Sequence, residues 1–428
     1  MKYKNYYLKG TIEMPGDKSI SHRLLILSSM IKGKHIFKNL PQNDDIKTTI
    51  EVLKHFGLKF KFTNDNISII DTNEMYLKDA NINCNESGTT ARLMCGYLAG
   101  MNVNCTINGV STLLNRPMER IVQPLKNIGV NIETTDGKLP VIIKKSEIKQ
   151  NFFELNLKVP SAQVKSALML YAINSNQACI IKGKIHTRDH SERLLGYLDY
   201  PILMNDKSIS LDKGNLKKIE FNNFIPGDIS SASFFIAAAI LIKDSNITIK
   251  NVCINSYRMG FINKLKLMGA NIKVRYTKNI CGEKIGDITA LYSSDINGIE
   301  IKSKDTASLI DEIPILCVVA AFAKGTTIIN GVNELRFKES DRINSVIENF
   351  KSMKRLINIE DDNLVINPVN KLHSTTINSF GDHRIFMAIY IYNLVINDNF
   401  DTKIIDKTLS KSFPDFIETL NRLLYEKI

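Results

Sequence analysis

Residues 226–240 read PGDISSASFFIAAAI, a Pro-Gly-Asp turn that runs straight into a stretch apolar on every side. A helix of that kind, polar only at its start, belongs inside a fold rather than on its surface. Its first turn carries N–H groups without intrahelical partners and the positive end of the helix dipole, so a buried start of this type is suited to an anion. The pattern recurs at 15–30 (PGDKSISHRLLILSSM), 85–100 (NESGTTARLMCGYLAG), 160–173 (PSAQVKSALMLYAI), 311–323 (DEIPILCVVAAFA) and 381–394 (GDHRIFMAIYIYNL).

Roughly 16 to 21 residues after each start comes a short strand-like segment ending in a small or polar turn: HIFKNL, CTINGV, CIIKGK, ITIKNV, TIINGV and TKIIDK. In most copies an amphipathic helix and a further strand follow, as in MERIVQPLKNIGVNIET (118–134) and MGFINKLKLMGANIKV (259–274). The chain is therefore read as an α/β protein with a repeat of about 70 residues, too long for a thin solenoid. Six repeats divide into two similar lobes of three, residues 14–224 and 225–428, with residues 1–13 expected to join them. The third repeat shows no clear closing strand pattern in LLGYLDYPILMNDKSISLDKGN (194–215).

At 428 residues and 44% apolar content the chain can bury large cores, which argues against a disordered or minimal binding module. Its seven cysteines form no CxxC pair and no metal spacing, and read as buried thiols of a reducing compartment. No signal-like apolar run opens the chain and the longest one, 313–323, is too short to span a bilayer, so a cytoplasmic protein is expected. The net charge of +12 raises the possibility of a nucleic-acid partner, but the lysines are spread along the chain with no basic run, and Trp is absent. No membrane or nucleic-acid partner is expected. Lys18, Ser19, Arg23, Arg92, Arg116 and Arg188 lie at the helix starts of the first lobe; Lys338, Arg342, Arg384 and Lys411 belong to the second. Cations gathered at such starts imply a small substrate with several negative groups.

These motifs resemble the 5-enolpyruvylshikimate-3-phosphate synthases: Pro15-Gly16-Asp17-Lys18-Ser19 with His22-Arg23, Ser87-Gly88-Thr89-Thr90-Ala91-Arg92, Arg116-Pro117-Met118 and Ser161-Ala162-Gln163. Asp311-Glu312-Ile313-Pro314, Lys338-Glu339-Ser340-Asp341-Arg342, Asp382-His383-Arg384 and Lys411 before Phe413-Pro414-Asp415 continue the resemblance in family order to residue 415. The resemblance implies two lobes of three βαβαββ units each, helices inside and sheets outside. It implies transfer of the enolpyruvyl group of phosphoenolpyruvate to the 5-hydroxyl of shikimate 3-phosphate with release of phosphate, by a monomer using no metal and no organic cofactor.

That reaction needs a base for the hydroxyl and an acid for the methylene carbon. The resemblance gives Asp311 as base, Glu339 as acid and Lys18 as a possible helper. It places Lys18, Gly88, Arg116, Gln163, Arg342, Arg384 and Lys411 around phosphoenolpyruvate. Shikimate 3-phosphate is given Lys18, Ser19, Arg23, Ser161, Ala162, Gln163, Thr187, Asp311 and Lys338. Gly88 is read as letting backbone approach the ligand, and with it sensitivity to glyphosate is expected. Blander readings stand beside these: Asp311-Glu312 also fits a helix cap, Glu339 also fits an i,i+3 pair with Arg342, and His383 fits a packed core histidine. Glu86, Ala162, His190 and Glu334 depart from the commonest family pattern, and Glu86 near an anion site would need a partner. The alternatives are the sister transferase acting on UDP-N-acetylglucosamine and an RNA-binding or RNA-end-processing protein of related fold. Residues 109–117 hold no cysteine of the kind typical of the former.

Overall fold

The computed structural model describes residues 6–63, 66–76, 78–147, 150–217, 222–351, 356–369, 371–396 and 404–426. After strand β1 (Tyr6–Glu13) the first repeat runs α1 (Lys18–Ser28), β2 (Lys34–Lys38), α2 (Asp44–Lys54), β3 (Lys59–Phe62) and β4 (Ile67–Asp71). The second is β5 (Ala80–Asn83), α3 (Gly88–Gly100), β6 (Cys105–Asn108), α4 (Glu119–Asn127), β7 (Ile132–Thr135) and β8 (Lys138–Ile143). The third is β9 (Phe152–Leu157), α5 (Ala162–Asn174), β10 (Ala178–Gly183), α6 (His190–Tyr197), β11 (Ile202–Met204) and β12 (Ser208–Leu211), and β13 (Asn222–Phe224) follows.

The fourth repeat is α7 (Ile229–Leu241), β14 (Asn246–Cys253), α8 (Gly260–Leu267), β15 (Asn271–Ile280) and β16 (Glu283–Leu291). The fifth is β17 (Glu300–Ile301), α9 (Ser303–Thr306), α10 (Ile313–Ala321), β18 (Thr327–Asn330), α11 (Arg342–Asn349), β19 (Ile357–Glu360) and β20 (Asn363–Ile366). The sixth holds α12 (His383–Ile396), α13 (Phe416–Asn421) and β21 (Leu424–Glu426).

Contacts divide the chain into an N-terminal unit of residues 16–225 with 280–283 and a C-terminal unit of residues 1–15, 226–279 and 284–428. In the N-terminal unit each repeat makes a four-stranded sheet, ordered β13-β2-β4-β3, β5-β6-β8-β7 and β11-β12-β10-β9. The strand opening the first sheet is supplied from beyond the third repeat, because β13 runs parallel to β2 from Asn222↔Ile36 to Phe224↔Lys38. The C-terminal unit reciprocates: β1 lies parallel to β14, Lys9↔Asn246 to Glu13↔Lys250, and antiparallel to β21 on its other side. The fifth repeat forms its own sheet, β17-β18-β20-β19. In the sixth, residues 402–403 of TKIIDK lie outside the described residues and residues 404–406 carry no strand.

Sheet strands alternate buried and outward residues, as in β2 and β4, while the first helix of each repeat is buried nearly all round. Helices α3 and α5 pack on each other in the N-terminal unit, and α7, α10 and α12 do so in the C-terminal one. Side chains cap most of the starts. Asp17 accepts from the Ile20 N–H, Ser87 from Thr90, Ser161 from Val164 and Asp228 from Ser230. The third repeat closes with a short β11–β12 hairpin. Leu203 and Met204 lie exposed on its edge strand, so the alternation that would have marked a strand is missing. All seven cysteines are buried and none forms a disulfide; burial pushes the Cys105, Cys179, Cys281 and Cys317 thiols up to about 12. Among the described residues no helix is long and apolar enough to cross a membrane.

Candidate active site

In the N-terminal unit the starts of α1, α3 and α5 carry the expected residues. Lys18 opens α1, and its ammonium lies 2.7 Å from the Asp45 carboxylate on α2. Arg23, one turn further on, is buried and held from each of its three nitrogens. It donates from Nη1 to the Ser19 carbonyl at 2.8 Å, from Nε to Ser191 Oγ at 2.7 Å and from Nη2 to Ser166 Oγ at 2.8 Å. Beside it His22 Nδ1 meets Thr49 Oγ1, Thr49 meets Thr90 and Thr90 meets Ser87, each at 2.7 Å, so a line of side chains joins α1 and α2 to the cap of α3. Burial, followed by the charges of Lys18 and Arg23, lowers the His22 pKa well below the usual histidine value and keeps it neutral.

Gly88 sits in the first turn of α3, where an added Cβ would lie 2.6 Å from Arg116 Nη1 and 3.2 Å from Arg92 Nη1. The missing side chain leaves room for the Arg116 guanidinium beside the helix start. Arg116 follows a 3-10 turn, Ser111–Asn115, and its Nε is buried with no hydrogen-bond partner among the described residues. Arg92 donates to Gln163 Oε1 at 2.9 Å and to the Pro117 carbonyl at 3.2 Å, and Gln163 donates onward to Thr89 Oγ1 at 3.0 Å. Arg92 thus ties three of the motifs together, a role its place beside Gly88 hinted at without naming its partners. Ser161 and Ala162 begin α5 and Thr187 lies in the loop between β10 and α6, its Oγ1 buried and without a partner among the described residues.

In the C-terminal unit a buried arginine organises the acids. Arg342 donates from Nε to Asp382 Oδ2 at 2.7 Å and from Nη1 to Asp311 Oδ1 at 3.1 Å. Burial opposes its charge, but the carboxylates of Asp382, Glu339 and Asp311 outweigh burial and raise its pKa further. Glu339 Oε2 lies 2.8 Å from Nδ1 of the buried His383. Helix α10 starts without a side-chain bond from its N-cap residue Glu312, and Arg384 Nη1 donates to the Asp311 carbonyl at 3.2 Å. Glu312 turns inward to accept from Ser230, which in turn accepts from Arg258 at 2.9 Å. Lys411 donates to the Gly381 carbonyl at 3.0 Å, and Lys338 is half-buried after the 3-10 turn Asn333–Phe337.

Among the described residues Glu339, Asp382 and His383 bring potential metal-ligating atoms within 4.8 Å of one another. Asp382 already serves Arg342, and a guanidinium this close competes electrostatically with a cation. The sequence reasoning missed Asp45, Lys165, Ser166 and Ser191, and named Asp382 only as a neighbour of His383. None carries a local signal, since each meets its partner on another element tens of residues away along the chain.

This arrangement of buried helix starts in six repeats is the fold of the enolpyruvyl transferases. NikO of Streptomyces tendae, a transferase of that kind, superimposes with a TM-score of 0.72 over 98% of this chain and 97% of its own at 13% identity. The EPSP synthase of Acinetobacter baumannii superimposes with a TM-score of 0.82 at 30% identity, covering 99% of this chain and 98% of its own. Residues 2–420 match the family described as EPSP synthase (3-phosphoshikimate 1-carboxyvinyltransferase). The 3-phosphoshikimate 1-carboxyvinyltransferase of Endomicrobium trichonymphae is 38% identical over 98% of both chains, and that of Clostridium tetani 39% identical over 89% of this chain and 87% of its own. The chain belongs to the EPSP synthase family.

Proposed function

We propose that the protein transfers the enolpyruvyl group of phosphoenolpyruvate to the 5-hydroxyl of shikimate 3-phosphate and releases phosphate. The observation that carries this reading is the acid set of the C-terminal unit: Asp311 accepts from the buried Arg342, and Glu339 lies 2.8 Å from the buried His383. Asp311 takes the proton of the attacking hydroxyl and Glu339 protonates the methylene carbon with Lys18 assisting; as the tetrahedral adduct collapses, a proton is taken back from the new methyl group, the carbon–carbon double bond re-forms and the C–O bond to phosphate breaks. Lys18, Gly88, Arg116, Gln163, Arg342, Arg384 and Lys411 receive phosphoenolpyruvate. Lys18, Ser19, Arg23, Ser161, Ala162, Gln163, Thr187, Asp311 and Lys338 receive the acceptor. Fixed cations stabilise the charge of the adduct more than that of either substrate, since they need no reorganisation as it forms.

The setting proposed is the cytoplasm, with a monomer acting on small anions and no nucleic acid or membrane partner. The dispersed lysines and the absence of Trp support it. The test is phosphate release from phosphoenolpyruvate with shikimate 3-phosphate, run against UDP-N-acetylglucosamine as control acceptor. Release with the first alone is expected, and Asp311→Ala should lower turnover about 100-fold or more while remaining folded. Release with the control acceptor, or near-normal turnover in the variant, would overturn the assignment.

A further inference from the structure

Behind the acceptor residues of the N-terminal unit lies a lysine in a place lysines rarely occupy. Lys165, two residues past Gln163 on α5, is 1% exposed. Its ammonium lies 2.5 Å from Oε1 of Glu192 on α6, a carboxylate equally buried. It also donates to the Ile185 carbonyl at 2.9 Å and reaches the Thr187 carbonyl at 3.5 Å. Those carbonyls flank exposed His186, so one buried cation grips the loop between β10 and α6 from below.

A buried pair of this type adds little stability over an apolar pair of the same volume, because both ions lose their water. What it adds is placement. The charge-assisted bonds fix the loop carbonyls in one geometry, and the loop carries Thr187, whose buried Oγ1 has no hydrogen-bond partner among the described residues. A buried hydroxyl left unsatisfied is costly unless a ligand completes it. A second grip holds the start of α6: Ser166 and Ser191 share a hydrogen bond of 2.6 Å, and Arg23 donates to both.

We infer that Lys165 and Glu192 are positioning residues, a buried clamp that sets Thr187 and the adjoining Arg188 for the phosphate of the acceptor and so governs acceptor affinity. The inference rests on the acceptor role proposed for Thr187. Its test is steady-state phosphate release by the full-length protein, with shikimate 3-phosphate and phosphoenolpyruvate varied separately, in Lys165→Met, Glu192→Gln and the double variant Lys165→Met/Glu192→Leu. Lys165→Met should raise KM for shikimate 3-phosphate about tenfold, with KM for phosphoenolpyruvate and kcat changed less than about threefold. The double variant, which leaves no buried charge alone, should recover thermal stability but not acceptor KM, and it stands in if the single variant fails to fold. Recovery of both together, or a KM rise shared equally by the two substrates, would reduce the pair to a structural role and overturn the inference. If the unaltered protein released no phosphate with shikimate 3-phosphate, the functional reading would fall. The clamp itself would then be judged by amide exchange at residues 185–188: faster exchange in the double variant supports it, unchanged exchange sinks it.

Discussion

Gly88 shows how a single missing side chain can organise two charged ones. The Cβ of an alanine there would come 2.6 Å from Arg116 Nη1 and 2.9 Å from its Cζ, inside any normal contact, and the flexible guanidinium rather than the helix would give way. Gly88→Ala should therefore leave stability within about 1 kcal/mol of the parent, since alanine also favours a helix. It should raise KM for phosphoenolpyruvate about tenfold through the displaced Arg116. Steady-state assays at saturating acceptor read this directly, and an unchanged KM would remove Arg116 from that ligand. The motif was plain in the sequence. What the glycine makes room for was not, because Arg116 is 28 residues away along the chain.

Helices α3 and α5 approach closely along a face that bears Gly96 and Gly100, four residues apart and so on one side of α3. A Cβ at Gly96 would fall 1.8 Å from the Ala167 carbonyl oxygen, and one at Gly100 would fall 2.7 Å from both Asn174 Cβ and the Tyr171 carbonyl oxygen. Here the neighbour is backbone and cannot swing aside. Gly96→Ala should destabilise the protein by about 3 kcal/mol, at the upper end of ordinary overpacking. Urea unfolding measures it, and a loss below about 1 kcal/mol would mean that the two helices separate easily. Helix starts, caps and burial were legible because each depends on a few consecutive residues. The hairpin of β11 and β12 was not, since exposed Leu203 and Met204 erase the alternation on which a strand reading depends.

Apart from the short segment 280–283, the chain leaves one unit for the other at two identical tripeptides, Pro15-Gly16-Asp17 and Pro226-Gly227-Asp228. The strand before each tripeptide completes the sheet of the unit being left: β1 lies between β14 and β21, and β13 edges the sheet of β2. Residues 226–428 expressed alone should accordingly fail to fold, for β14 loses its parallel neighbour and β21 loses its one pairing partner. Joining Pro15 directly to Gly227 should restore a cooperative fold, because the Asp228 N–H already donates to the Pro15 carbonyl at 2.9 Å. Circular dichroism with urea titration separates the two fragments; a folded 226–428 fragment would show that β1 is dispensable.

The six-fold repeat, the buried helices and the motif residues follow from local rules of capping, periodicity and composition, and these the chain carries in every short stretch of its own sequence. The exchange of β1 and β13, and the pairing of Lys18 with Asp45, Arg23 with Ser166 and Ser191, Lys165 with Glu192 and Arg342 with Asp382, were decided only on folding. A charge in a sequence specifies what kind of partner it needs; which partner it meets depends on the packing of residues far apart along the chain.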